Sequence, residues 1–308
     1  MCNSLVLSKK TLFIIIVAVG LYTIFLIFSD ISLLLEKFKD FDSKNLLFII
    51  PLIMASYFIR AFRWNMLLKS LQIKIDTKES LQIFFAGMAF GITPAKIGEV
   101  IKSHILKKNH SQPLSKTAPI IFVERYYDLV GIIIISLIGM WFVDLQKILI
   151  VTLFILAILF MVLSQQRNLF ESILKKMTRI PLLKRYVMSI LLSYDSVSLL
   201  LKPKIYAKAI SYSISAWGVE SIAVFFIFEG FKVDLSFPVV ALIFTSSTLL
   251  GGISLVPGGI GVTEGGMLGL LLLHNIDYTT SFSLVLLVRL LTLWMSVIIG
   301  FIVLKFKI

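Results

Sequence analysis

A helix-breaking run inside a long apolar stretch constrains this chain more than any other part of its sequence. The run, residues 256–266, reads VPGGIGVTEGG and holds one proline, five glycines and one carboxylate, Glu264. Lipid offers no hydrogen-bond partners, so backbone groups that proline and glycine leave free must be satisfied by protein or by water in a cavity. We therefore predict a broken helix that lies inside the protein and does not face lipid.

A fainter copy of this run occurs earlier, at residues 94–99, which read PAKIGE. Both copies contain Pro-x-x-Ile-Gly followed by a glutamate, and each precedes an arginine within an apolar segment. Arg125 stands 31 positions after Pro94, and Arg289 stands 32 positions after Pro257. We predict two broken helices, each with a glutamate and an arginine, that together build one polar site inside a membrane protein.

Composition sets the class of protein. Charged residues make up 15% of the chain and the mean hydropathy is +0.97, whereas soluble domains carry about 25% charged residues. The chain is therefore predicted to be an integral membrane protein. Its net charge of +13 would suggest nucleic-acid binding in a soluble protein. In a membrane protein it indicates Lys and Arg in cytoplasmic loops near anionic lipid, and we expect no nucleic-acid partner. The single cysteine, Cys2, excludes an internal disulfide and a cysteine-based metal site. We expect no metal and no cofactor.

Apolar segments near the length of about 20 residues that a bilayer requires predict an all-α, polytopic fold. It would have about six full spans, at residues 12–28, 46–62, 118–143, 148–163, 209–228 and 282–304. Two shorter apolar segments end at the breaks and predict re-entrant hairpins. The chain would form one membrane domain of two halves, 1–164 and 209–308, joined by a basic, amphipathic cytoplasmic connector at 165–208.

Charged residues near the ends of these segments are expected at the membrane surface. The second span ends in Arg60, Arg63 and Trp64, which are interpreted as interfacial anchors, with contact to lipid headgroups as the functional alternative. The basic residues after the first break, Lys102, Lys107 and Lys108, are expected at the cytoplasmic surface.

Counting Lys and Arg by side predicts the orientation in the cell membrane. If both termini are cytoplasmic, the inside segments hold 23 of these residues and the outside segments hold 5, leaving out Arg125 and Arg289. A bias of this size sets topology. The first hairpin would then open to the cytoplasm and the second to the outside. The halves would be inverted repeats, an arrangement that places a shared site near the bilayer midplane in many transporters.

Ionisable side chains within or near apolar segments are the candidate substrate-binding residues. Each would cost about 2.5–3.5 kcal/mol at a lipid-facing helix centre, so it must pair or line water. They could instead be buried ion pairs that fix helix register, or, for Glu220, a carboxylate bonded to Ser or Trp of a neighbouring helix. Buried pairs stabilise less than apolar packing, which favours function. The set is Lys96, Glu99, Glu124, Arg125, Asp128, Glu220, Glu264 and Arg289.

Together these motifs resemble those of the lysylphosphatidylglycerol synthase transmembrane-region family, also called flippase-like membrane proteins. The resemblance covers nearly the whole chain. It is carried by the two Pro-x-x-Ile-Gly breaks with their glutamates, the ERxxD motif of residues 124–128, Arg289 and the RxxRW motif of residues 60–64. In the family's best-known members this region is fused to an aminoacyl-transferase domain and is thought to move the aminoacylated lipid between leaflets. Other members work near glycosyltransferases that use polyprenyl-phosphate carriers.

The resemblance implies a flippase-like role without the synthase activity. We expect translocation of a phospholipid or a polyprenyl-phosphate-linked headgroup, with Arg125 and Arg289 on phosphate. Glu99 and Glu264 would take an amine, sugar hydroxyls or a coupling proton. The alternative is a non-catalytic accessory subunit of a lipid-modifying enzyme, partnered by a glycosyltransferase or an aminoacyl-lipid synthase. No catalytic constellation is visible, so an embedded enzyme is the least favoured class. The lipid, the energy source and the oligomeric state stay open.

Overall fold

A computed structural model describes residues 31–140, 147–167, 170 and 186–307, and these residues are helical with no strand. The predicted first span, 12–28, lies outside them. We number the α-helices of the described part α1 to α12. They are Ile31–Asp40, Leu46–Ser70, Thr77–Met88, Ile101–His110, Leu114–Met140, Lys147–Ser164, Val187–Leu200, Pro203–Gly230, Phe237–Ile253, Val262–Leu273, Tyr278–Arg289 and Met295–Lys307. Short 3-10 helices occur at Ser43–Asn45, Pro94–Val100 and Pro257–Gly259.

Three helical stretches are long and apolar enough to cross a membrane: Ser43–Ser70, Pro203–Gly230 and Tyr278–Lys307. The last is 30 residues long because a π-helical turn, Leu290–Trp294, joins α11 to α12. Helix α5 has 27 residues, a length of about 40 Å at 1.5 Å per residue, but ionised residues interrupt its apolar sequence. Shorter apolar helices include α7 and α9. The described chain is therefore a multi-pass helical protein.

The antiparallel pair α2 and α8 forms the centre of the helix packing. At one end of the pair, the Asp42 N–H donates to the Gly230 carbonyl at 3.0 Å. Helix α5 packs against both helices, and α7 packs against α5. One helix beside each break packs against a helix distant in sequence: α3 against α12, and α9 against α5. Both crossings are close, since a Cβ on Gly300 would overlap the Ala89 backbone and one on Gly139 would lie 2.6 Å from the Pro238 carbonyl oxygen.

Two breaks separate the paired short helices α3 from α4 and α9 from α10. We call Pro94–Val100 the first break and residues 257–261 the second break. The proline of each opens a 3-10 turn, preceded by an extended residue, Thr93 or Val256. The two breaks contact each other, and the apolar cluster of Ile92, Ile260 and Val297 lies at their junction.

Two predicted boundaries were wrong. Helix α2 runs to Ser70, eight residues beyond the predicted end of the second span at 62. Helix α8 begins at Pro203, inside the predicted connector of residues 165–208. In both cases the prediction ends an apolar helix at lysines and arginines, whereas an α-helix continues through charged residues when they have partners or reach water.

Candidate functional site

A buried lysine joins two carboxylates behind the first break. Lys102 is fully buried, and its Nζ lies 2.9 Å from Glu99 Oε2 and 2.6 Å from Glu124 Oε2. The ammonium also stands 4.5 Å from the ring centroid of Trp64, within cation–π range. Its aliphatic stem passes Gly87, where a Cβ would come within 2.6 Å. Lys102 therefore connects α4 to α5 through charges that are closed off from solvent.

Two arginines share Asp128 on the next turn of α5. Arg63 is fully buried, with Nη1 2.8 Å from Asp128 Oδ1, and it also donates to Ser213 of α8. Arg125 reaches Asp128 Oδ2 at 3.1 Å and Glu99 Oε2 at 3.4 Å. The Arg125 side chain keeps 25% of its surface exposed. It is thus the most exposed of the ion-paired side chains near the first break.

A third pair lies between α2 and α8. Arg60 Nη2 is 2.5 Å from Glu220 Oε2, and Ser56 donates to the same oxygen at 3.4 Å. The Arg60 guanidinium also stacks over the Trp217 ring at 4.6 Å. Arg60 is close enough to Asp128 for charge–charge interaction, which joins this pair to the network on α5.

Lys96 differs from the other cations near the first break. It is half-buried, and within the described residues its ammonium has no ion-pair or hydrogen-bond partner. It nevertheless interacts electrostatically with Arg125, Glu99, Asp128 and Arg60. Its backbone adopts a φ of +55°, a left-handed conformation that costs a non-glycine residue roughly 1–2 kcal/mol.

These residues form what we call the first-break cluster, and cations outnumber carboxylates in it. The cations are Arg60, Arg63, Lys96, Lys102 and Arg125, and the carboxylates are Glu99, Glu124, Asp128 and Glu220. Several donors have no hydrogen-bond partner among the described residues: Nε and Nη2 of Arg63 and Nε of Arg125. Two carboxylate oxygens lack one as well, Oε1 of Glu124 and Oδ1 of Asp128. The groups open to an anion are therefore the half-buried Lys96 ammonium and the partly exposed Arg125 guanidinium.

The glutamate and arginine of the second break act on the break's own backbone. Arg289 Nε donates to Glu264 Oε1 at 2.7 Å, and its Nη2 donates to the Gly258 carbonyl at 2.6 Å. The other oxygen of Glu264 accepts the Gly261 N–H at 2.7 Å, which caps α10. Both side chains are less than 10% exposed. This pair satisfies the backbone groups that the proline and glycines leave free.

The structure brings together most of the predicted site residues and adds four that were missed. Both predicted pairs form, Glu99 with Arg125 and Glu264 with Arg289. The assignment of Arg60, Arg63 and Trp64 as interfacial anchors was wrong, and so was the surface placement of Lys102. Arg63, Trp64 and Lys102 are fully buried, and Arg60 is ion-paired at 12% exposure. Helical spacing in the sequence could have indicated these residues, because Arg60 and Arg63 share one helix face and Lys102 stands one turn after Glu99.

The described residues contain no group of three or more His, Cys, Asp or Glu arranged to hold a metal ion. The carboxylates of the first-break cluster face cations instead. Its chemistry is therefore that of ion pairs and of donors available to an anion.

The Lysylphosphatidylglycerol synthase TM region family matches residues 14–300 of this sequence. The chain belongs to this family. The matched region is a transmembrane region, and it contains both breaks and every residue of the first-break cluster.

Three archaeal relatives, all UPF0104 membrane proteins, agree with this assignment. The relative from Methanocaldococcus jannaschii is 28% identical over 214 residues, which cover 68% of this chain and 89% of the relative. That from Pyrococcus horikoshii is 24% identical over 320 residues, 94% of this chain and 95% of the relative. That from Methanothermobacter thermautotrophicus is 25% identical over 265 residues, 77% and 78% respectively. Membership of this family, with several apolar helices, supports a multi-pass membrane location.

Proposed function

We propose that this protein is flippase-like and moves a phospholipid or a polyprenyl-phosphate-linked lipid between leaflets by holding its headgroup at the first-break cluster. The observation that carries the proposal is Lys96. It is a half-buried ammonium without a partner in the described residues, beside the accessible guanidinium of Arg125. A phosphate would neutralise the cluster's excess cation through charge-assisted hydrogen bonds. Ionisable groups inside a membrane domain commonly mark a substrate pathway.

The two breaks would have different roles. Lys96 and Arg125 would bind the phosphate, while Glu99, Glu124, Asp128 and Glu220 set the positions of the cations and accept hydrogen bonds from an amine or sugar. Glu264 and Arg289 would hold the second break in shape and present it to the first. This division follows from exposure, since Arg125 is 25% exposed and Arg289 is 9% exposed.

The architecture that we propose is a pair of inverted repeats with about six full spans, in the cell membrane, with both termini cytoplasmic. The reciprocal packing of α3 on α12 and of α9 on α5 supports this arrangement, because each hairpin then rests on the arginine-bearing span of the other half. Rocking of one half against the other would expose the cluster to each leaflet in turn.

A leaflet-resolved transport assay tests the proposal. The full chain is reconstituted in liposomes that contain phosphatidylglycerol with a fluorescent nitrobenzoxadiazole label, and dithionite reports the label in the outer leaflet. We expect wild type to expose inner-leaflet label faster than protein-free liposomes do. We expect Lys96→Gln and Arg125→Gln to slow this exposure at least tenfold. Lys107→Gln removes an exposed lysine from the end of α4 and serves as the matched control.

Two outcomes would contradict the proposal. Wild type no faster than protein-free liposomes, with this lipid and with a labelled polyprenyl phosphate, would favour the accessory-subunit alternative. That alternative predicts co-purification with a glycosyltransferase or an aminoacyl-lipid synthase. Equal rates for wild type and Lys96→Gln would remove the first-break cluster from the pathway.

A further inference from the structure

A second basic feature lies outside the first-break cluster, in a cavity of about 450 Å³ between the C-terminal part of α2 and the N-terminal part of α8. Three lysines line it: Lys69, Lys204 and Lys208. All three are exposed, and none has an ion-pair partner among the described residues. Three ammonium groups around one concave space attract an anion more strongly than the same charges on a convex surface.

Polar groups that suit a phosphate also line the cavity. Asn65 lines the cavity at 6% exposure, and its side-chain NH₂ is a hydrogen-bond donor for an oxyanion. Tyr212 adds a phenol. The positive end of the 28-residue helix α8 begins beside Lys204, and a helix N-terminus favours negative charge.

The apolar part of the lining points to a lipid as the source of the anion. Phe62 lines the cavity and leaves 44% of its surface exposed. A headgroup phosphate on the lysines would place the start of its acyl chains beside this ring. Basic pockets between membrane helices on the cytoplasmic side bind anionic headgroups. This end of the α2–α8 pair lies opposite the Asp42–Gly230 contact and carries the positive charge expected of the cytoplasmic side.

We propose that this cavity is a binding site for the phosphate of an anionic membrane lipid in the cytoplasmic leaflet. The site is separate from the first-break cluster, since Lys69 follows the buried Arg63 by six residues, about 9 Å of helix rise. It would hold a lipid whether or not the chain transports one, so its test measures retention and not movement.

The test counts lipids that remain bound to the purified chain. The protein is placed in phosphatidylcholine nanodiscs that contain a minority of phosphatidylglycerol, and native mass spectrometry counts the phosphatidylglycerol retained after release. One lysine near an anionic surface contributes about fivefold in binding. We expect Lys69→Gln/Lys204→Gln/Lys208→Gln to lower retention at least tenfold when it and its parent both carry Lys96→Gln, which weakens headgroup binding at the first-break cluster. The corresponding triple arginine variant, which keeps the charge, should retain phosphatidylglycerol within about twofold of wild type.

A matched triple variant separates the cavity from general surface charge. Lys74, Lys107 and Lys108 are exposed lysines outside the cavity, and changing them to Gln removes the same charge. Unchanged retention in this control supports the site, whereas an equal loss in both triple variants overturns it. If the triple variant fails to fold, the single variant Lys208→Gln is measured in its place. We expect it to lower phosphatidylglycerol retention about fivefold, and unchanged retention would overturn the proposal.

Inorganic phosphate identifies the source of the anion. We expect millimolar phosphate to leave phosphatidylglycerol retention unchanged, because the free ion lacks the apolar contact with Phe62. Displacement of the lipid by phosphate alone, dependent on the same lysines, would show a site for a soluble anion and would overturn the assignment to lipid.

Discussion

The two breaks share a sequence pattern but are held in shape by different chemistry. In the first break, a neutral side chain satisfies the backbone: the Thr93 hydroxyl donates to the Phe90 carbonyl and accepts the Gly98 N–H, both at 2.7 Å. In the second break, the charged pair Glu264 and Arg289 does so, through the Gly261 N–H and the Gly258 carbonyl. The charges near the first break therefore pair with one another and leave its backbone to Thr93.

The two breaks also differ in which residues adopt a left-handed backbone conformation. The left-handed positions of the second break are glycines, Gly258, Gly259 and Gly261, whereas in the first break Lys96 occupies such a position. Glycine adopts this conformation without steric cost, but lysine does not. Among the described residues, the other non-glycine residues with a positive φ are Gln72, Ser111, Lys232, Leu255 and Asn275, so this strain alone does not mark a site. The second break thus keeps its left-handed positions for glycine, whereas the first places one on a cation, Lys96, to which the proposed function assigns phosphate binding.

The largest effect is expected from removing the arginine of the second break. Arg289→Leu leaves Glu264 buried without this cation and the Gly258 carbonyl without its donor, so we expect a loss of about 3–5 kcal/mol in the free energy of unfolding. Arg125→Leu should cost less than about 2 kcal/mol, because Glu99 keeps Lys102 and Asp128 keeps Arg63. Chemical denaturation in detergent micelles measures both. Equal losses would show that the two pairs have the same structural role.

A smaller effect is expected at the glycines of the second break. A Cβ on Gly259 would lie 2.6 Å from Thr263 Oγ1, and φ there is +65°. Gly259→Ala combines this clash with left-handed strain and should cost about 2–3 kcal/mol. Gly261 also has a positive φ but nothing within 4 Å of its Cβ position, so Gly261→Ala should cost about 1–2 kcal/mol. A reversed order in the same denaturation measurement would contradict the geometry.

Local chemistry made the breaks predictable, since proline and glycine act on the backbone where they stand. The missed residues depend on partners far along the chain. Arg63 is ion-paired to Asp128 and hydrogen-bonded to Ser213. Its spacing places it on one helix face with Arg60, but that spacing does not reveal partners on other helices. Ending the predicted span at residue 62 left Arg63 outside the helix. Lys102 was missed in the same way, because its second partner, Glu124, comes from another helix.

A still smaller effect is expected from removing the Thr93 hydroxyl, which makes two hydrogen bonds to the backbone of the first break. Thr93→Val keeps the side-chain shape but removes both hydrogen bonds of the hydroxyl. At about 0.5–1 kcal/mol for each neutral bond, we expect a loss of about 1–2 kcal/mol, while Thr93→Ser should stay within about 0.5 kcal/mol of wild type. If Thr93→Val has no effect in denaturation, the first break must be held by its charged residues, and the contrast with the second break fails.

The smallest effect on stability is expected at Lys96, which makes this position the sharpest test of the comparison. Lys96→Gly relieves the left-handed strain at φ +55° but adds backbone freedom to the unfolded chain, and these terms are of similar size, about 1 kcal/mol each. We expect the free energy of unfolding to change by less than about 0.5 kcal/mol. Lys96→Arg keeps the charge and the strain and is the matched control. A loss above about 2 kcal/mol in Lys96→Gly, absent from Lys96→Arg, would mean that the ammonium stabilises the fold, and the first break would then resemble the second.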